Sequence, residues 1–162
     1  MSRPAAFLLF MVLFSACDLK FRKDDARIKA LSQMQQTDAD FALMAKEQGF
    51  RKAFLEYMEE EAILLRDNHL PIIGADAIRY ITSIEDSSFQ ISWEPVGGDI
   101  AASADMGFTY GIYQLKAGTE EQRGTYITVW RKQPDGGWKY VLDSGTQGLE
   151  QPTRDSAAVE AN

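Results

Sequence analysis

Cysteine and histidine are almost missing: the 162-residue chain has one of each, Cys17 and His69. A single cysteine excludes an intramolecular disulfide, a CxxC redox pair and a multi-cysteine zinc centre, and with no histidine cluster neither zinc nor iron is expected. Basic residues are in deficit, 17 Lys and Arg against 24 Asp and Glu, for a net charge of −7. That leaves no positive footprint for a phosphate backbone, so nucleic acid is not expected as a partner. No glycine-rich phosphate loop precedes a helix, which argues against nucleotides. No metal or cofactor is therefore expected. The chain also lacks internal repeats, and its length and 45% hydrophobic content suit one domain with one core.

Long apolar runs are absent too, with one exception at the start. Residues 1–16 place Arg3 before an apolar run from Ala5 to Phe14 and end in small residues ahead of Cys17. This is signal-peptide anatomy, and the run is shorter than the roughly 20 residues needed to span a bilayer. Leu13-Phe14-Ser15-Ala16-Cys17 resembles a bacterial lipobox, with Phe14 where leucine is usual. The resemblance implies lipidation of Cys17 and a protein anchored in the cell envelope, facing the periplasm or exterior; ordinary secretion is the alternative. Asp18 resembles an inner-membrane retention signal. A tether over residues 17–37 follows, turning helical towards its end.

Two amphipathic segments come next. Thr37 or Asp38 caps a helix carrying Phe41, Met44 and Ala45, which Gly49 interrupts. Phe50, Ala53, Phe54, Tyr57 and Met58 then fall on one helical face. Glu59-Glu60-Glu61 reads as a solvated corner, Ala62–Leu65 as a buried strand, and His69 as a residue of a turn-like loop. Ala77, Ile78 and Ile81 face inward on a short third helix.

From Phe89 the period changes to alternation. Phe89, Ile91 and Trp93 share a face of a strand ending before Pro95; Ile100–Ala104 reads as the next strand, and Phe108–Lys116 as another, with Gly107 and Gly111 on one face. The clearest local signal is a hairpin: Tyr126–Gln133 and Trp138–Asp143 are rich in aromatic and β-branched residues, and Pro134-Asp135-Gly136-Gly137 supplies the turn. Residues 147–162 read as a disordered tail.

Helices followed by an antiparallel meander point to an α+β layer fold. Gly49-Phe50, the stretch Tyr57–Ala62, Pro71-Ile72-Ile73-Gly74, Trp93-Glu94-Pro95, the stretch Asp105–Gly111 and the stretch Thr128–Lys139 resemble the SnoaL-like branch of the nuclear-transport-factor-two (NTF2-like) superfamily, over roughly Asp38 to Gly145. The resemblance implies a cone-shaped α+β domain over residues 38–146, with a curved antiparallel sheet wrapping about three helices around a pocket, often as a homodimer joined through the sheet. Ketosteroid isomerisation on this fold uses a carboxylate base and a tyrosine. The base position falls on Arg66, which stays protonated, and the tyrosine position falls on Phe41-Ala42, which have no side-chain donor.

The candidate pocket lining is aromatic: Tyr57, Trp93, Tyr110, Tyr126 and Trp130, with Tyr126, Thr128 and Trp130 on one strand face. Asp143 is the candidate acid or base, and alternation groups it with Val141 against Trp138 and Tyr140 without saying which set is inside. Three functions fit: an envelope lipoprotein binding a small apolar or aromatic molecule, an isomerase, dehydratase or hydrolase using Asp143 with a tyrosine, and a non-catalytic interaction module dimerising through its sheet.

Overall fold

The computed structural model describes the backbone of residues 5–148 and the side chains of residues 24–148. The side chain of Cys17 and residues 149–162 of the expected tail lie outside these. Helix α1 runs Ala5–Gln48 and α2 Phe50–Tyr57, and the chain then forms β1 (Met58–Leu65), β2 (Ile72–Ile73), α3 (Ala75–Ser83), a 3-10 turn (Asp86–Ser88), β3 (Gln90–Ile100), β4 (Met106–Ala117), β5 (Glu120–Lys132) and β6 (Trp138–Gln147). No helix among the described residues is long and apolar enough to cross a membrane.

The packed core begins earlier than residue 38. Ala30, Met34, Phe41 and Ala45 form one buried stripe on α1, so residues expected in the tether belong to the domain. Gly49, at φ +94°, separates α1 from α2, and Asp86 caps the new helix by accepting from the Arg51 main-chain N–H while pairing with its side chain. The stripe expected on α2 is observed, with Phe50, Ala53 and Phe54 buried and Met58 buried just beyond. On α3, Ala77 and Ile81 are buried, whereas Ile78 is exposed.

The six strands lie in the order β2-β1-β6-β5-β4-β3. Every pairing is antiparallel except β1 with β6, which is parallel, so the sheet is mixed where an antiparallel one was expected. The three acidic residues expected at a corner lie within β1, with Glu59 bonded to Arg131 and Gln133 of β5 and its following turn. β3 does not stop at Pro95: a bulge at Val96 carries it on to Ile100, and the segment expected as a further strand is a tight turn into β4. The hairpin turn is as expected: the Gly137 carbonyl accepts from the Gln133 N–H, and Asp135 accepts from the Gly137 N–H.

Sheet and helices meet around Phe41. Its ring centroid lies 4.8 Å from that of Phe54, 5.1 Å from Tyr57 and 4.6 Å from Trp93, and Tyr140 stacks at 5.9 Å. The Tyr140 hydroxyl donates to the Phe54 carbonyl, tying β6 to α2. Inward glycines let these layers approach. A Cβ on Gly107 would fall 2.6 Å from Met34 Sδ, and one on Gly111 2.8 Å from the Tyr126 ring. The glycines of β4 thus make room for side chains of the protein itself.

Candidate functional site

Between the helices and the inner face of β3 to β6 lies a cavity of about 370 Å³, within the usual range for small-molecule sites. Its walls carry eight aromatic rings, among them those of Phe41, Phe50, Phe54, Phe89, Trp93 and Tyr126. At one end Arg66, Asp67, Tyr113 and Asp143 supply polarity.

Of the residues singled out in the sequence, Trp93, Tyr126 and Asp143 line this cavity. Trp130 does not: it is fully buried, with its Nε1–H donated to Thr109 at 2.8 Å. Tyr57 packs beside it against Phe41. Tyr110 lies on the outer face of the sheet with Phe108, because Gly107, Thr109 and Gly111 take the inner positions of β4. His69 sits in the surface loop, edge-on to Tyr80.

Asp143 is inside because the β5–β6 register shifts at Val141: Trp130 pairs with Tyr140 and Val129 with Leu142, so one extra residue resets the alternation. Tyr140 and Asp143 are consequently both buried. Asp143 Oδ1 accepts from Arg66 Nη2 at 2.6 Å, and its Oδ2 accepts from the Thr128 hydroxyl at 2.8 Å. Arg66 Nη1 also donates to the carbonyls of Leu65 and Asp143, and its guanidinium lies 5.9 Å from the Phe54 ring centre. The residue occupying the expected base position therefore clamps the end of β1 to β6.

A second carboxylate escaped the sequence reading. Asp38 is fully buried on α1, where it accepts from Trp93 Nε1 at 3.0 Å and from the Tyr126 hydroxyl at 2.8 Å. It continues the stripe of Ala30, Met34, Phe41 and Ala45, so its signal was a polar residue on an apolar helical face. Burial raises its pKa above the ordinary 3.8; hydrogen bonds from Tyr126, Trp93 and Thr109 act the other way, and the charge of Asp143 adds to the rise. Burial, and then Asp38, push the Tyr126 hydroxyl above its own usual range.

The sign of the consequence follows from linkage. Native Asp38 keeps its proton at pH values where the unfolded chain has released it, so its contribution to stability is full below 3.8 and is lost as pH rises through the native value. Asp38→Asn removes this dependence. The difference in urea-unfolding free energy between wild type and variant is expected to move in the variant's favour from about pH 4 to about pH 8. A pH-independent difference would contradict it.

No group of three metal-ligating side chains occurs among the described residues. No family model matches the chain, and no curated protein matches it in sequence. Solved structures do match. A ketosteroid isomerase-like protein from Erwinia carotovora atroseptica superposes with a TM-score of 0.61 at 13% identity, over 75% of this chain and 97% of that one. An NTF2-like superfamily protein from Salmonella enterica gives 0.59 at 10%, over 78% and 96%. A protein provisionally described as a scytalone dehydratase, from Novosphingobium aromaticivorans, gives 0.60 at 11%, over 81% and 92%. With a curved six-stranded mixed sheet and three α-helices among the described residues, this chain has the NTF2-like fold.

Proposed function

We propose that the chain is a SnoaL-like envelope domain that binds a small apolar or aromatic molecule in the helix–sheet cavity and is anchored to a membrane by lipid on Cys17. One observation carries the binding reading: a ring-walled space of about 370 Å³ persists beside a core in which Phe41, Trp130 and Tyr140 are fully packed. The anchor rests on Arg3, the apolar run and Cys17 of the sequence. Binding fits the geometry better than proton transfer. Asp143 has both oxygens engaged by Arg66 and Thr128, and the carboxylate that meets a tyrosine, Asp38, lies behind the wall.

A second property is favoured by the outer face of the sheet. Ile63, Leu142, Val129 and Phe108 follow one another in register across four strands, with Tyr110 and Ile127 paired alongside. An uncharged row of this kind suits a second copy of the chain related by a two-fold axis.

One preparation tests all three parts. Native mass spectrometry of the full chain made in bacteria reads the mass added at Cys17 and the number of copies; thermal shift against a panel of small aromatic compounds reads the cavity. A ligand at about 100 times its Kd should raise the midpoint by on the order of 10 °C. An unmodified monomer that no compound stabilises would sink the proposal.

A further inference from the structure

We infer that the cavity selects uncharged, flat aromatic molecules bearing an acceptor oxygen, and that Tyr113, assisted by Arg66, is the residue that reads that oxygen. This rests on the cavity being a ligand site, as proposed above. It follows from accounting for the polar groups along the walls. On the wall formed by Trp93, Tyr126 and Thr128 every side-chain donor is already used: Trp93 Nε1 and the Tyr126 hydroxyl go to Asp38, and the Thr128 hydroxyl goes to Asp143. A ligand oxygen placed there would find no hydrogen bond. The apolar end of the ligand therefore goes in first, between the rings.

At the other end the accounting differs. The Tyr113 hydroxyl has no protein partner among the described residues, and its ring lies flat enough on β5 that a Cβ on Gly124 would fall 2.5 Å from it. Burial and Asp67 raise its pKa while Arg66 lowers it, so the phenol stands near both and remains a donor. Arg66 has used Nη1 on two carbonyls and Nη2 on Asp143, and its Nε–H takes no protein acceptor among the described residues. Charge selects against ions. The charged side chains of the lining are Arg66, Asp67 and Asp143. A carboxylate would have to displace Asp143 from Arg66 or sit beside two aspartates. An ammonium would find Asp67 as the only lining carboxylate outside the Arg66–Asp143 pair, and Asp67 is exposed to water.

The test uses the full chain and four probes with one shape: naphthalene, 2-acetonaphthone, 2-naphthoate and 2-naphthylmethylammonium, titrated calorimetrically. The ketone should bind about tenfold more tightly than either ion and about 3- to 10-fold more tightly than naphthalene. Tyr113→Phe should remove the advantage over naphthalene and cancel the downward shift of the bound ketone's carbonyl stretch in the infrared, while Tyr110→Phe, on the outer face of the sheet and away from the cavity, changes neither. The inference is overturned, with the cavity reading intact, if an ion binds as tightly as the ketone or if Tyr113→Phe leaves affinity and carbonyl stretch unchanged. Failure of all four probes to bind overturns the cavity reading itself.

Discussion

Arg66→Ala is expected to destabilise the fold by about 3 kcal/mol, although Arg66 follows the end of a strand and carries a charge. Its side chain is 18% exposed and that of Asp143 10%, so the pair is well removed from water. Removing the guanidinium leaves Asp143 with only Thr128 to satisfy it. The cost is mainly that of a stranded buried charge, added to two lost bonds to main-chain carbonyls. An exposed pair would cost about 0–1 kcal/mol. Urea unfolding should show a lower midpoint with an unchanged slope, since the area exposed on unfolding hardly alters. Adding Asp143→Leu should recover part of the loss, because the stranded charge is then gone. If the double variant is worse than Arg66→Ala, the two side chains do not form the unit that their 2.6 Å contact indicates.

The β5–β6 bulge explains why the inward direction of Asp143 could not be read from alternation. The hairpin itself is written locally in Pro134-Asp135-Gly136-Gly137 and two β-rich runs, and it formed as expected. Alternation along the second strand then fails at Val141, because a bulge adds one residue and both Tyr140 and Asp143 turn inward. No residue type marks such a bulge. Tyr110 shows a related limit. Alternation separated Phe108 and Tyr110 from Gly107, Thr109 and Gly111, but hydrophobicity favours the wrong set for the inside. What decides is the space above the two glycines: Met34 of α1 fills it at Gly107, and the ring of Tyr126, across from Gly111 on β5, fills it there.

The helices were legible where apolar spacing was unbroken, as on α2, and misread where one polar residue interrupted the stripe. Treating Asp38 as a cap began the domain there and turned Ala30 and Met34 into tether, although all three lie on one buried face. The parallel contact between β1 and β6 has no sequence signal either, since it joins strands far apart in the chain. That contact brings Arg66 to Asp143, so the polar end of the cavity is a product of topology. Its rings could be listed from composition; their partners could not.

Phe41→Ala is expected to cost on the order of 4 kcal/mol and to lower the thermal midpoint by on the order of 10–20 °C. Phe41 is 1% exposed, and its ring meets those of Phe54, Tyr57, Trp93, Trp130 and Tyr140. Few neighbours can collapse into the vacated space, because Trp130 is held by Thr109, Tyr140 by the Phe54 carbonyl and Trp93 by Asp38. The loss therefore includes transfer of the ring and an unfilled void beside the existing cavity. Phe41→Leu keeps much of the volume and should cost less than half as much. Leu43→Ala, on the same helix but 51% exposed, should stay within about 0.5 kcal/mol. Calorimetric melts of the three variants make the comparison. Equal losses at positions 41 and 43 would mean that α1 does not present the face that places Asp38 behind Trp93 and Tyr126, and the cavity would lose the wall on which its selectivity depends.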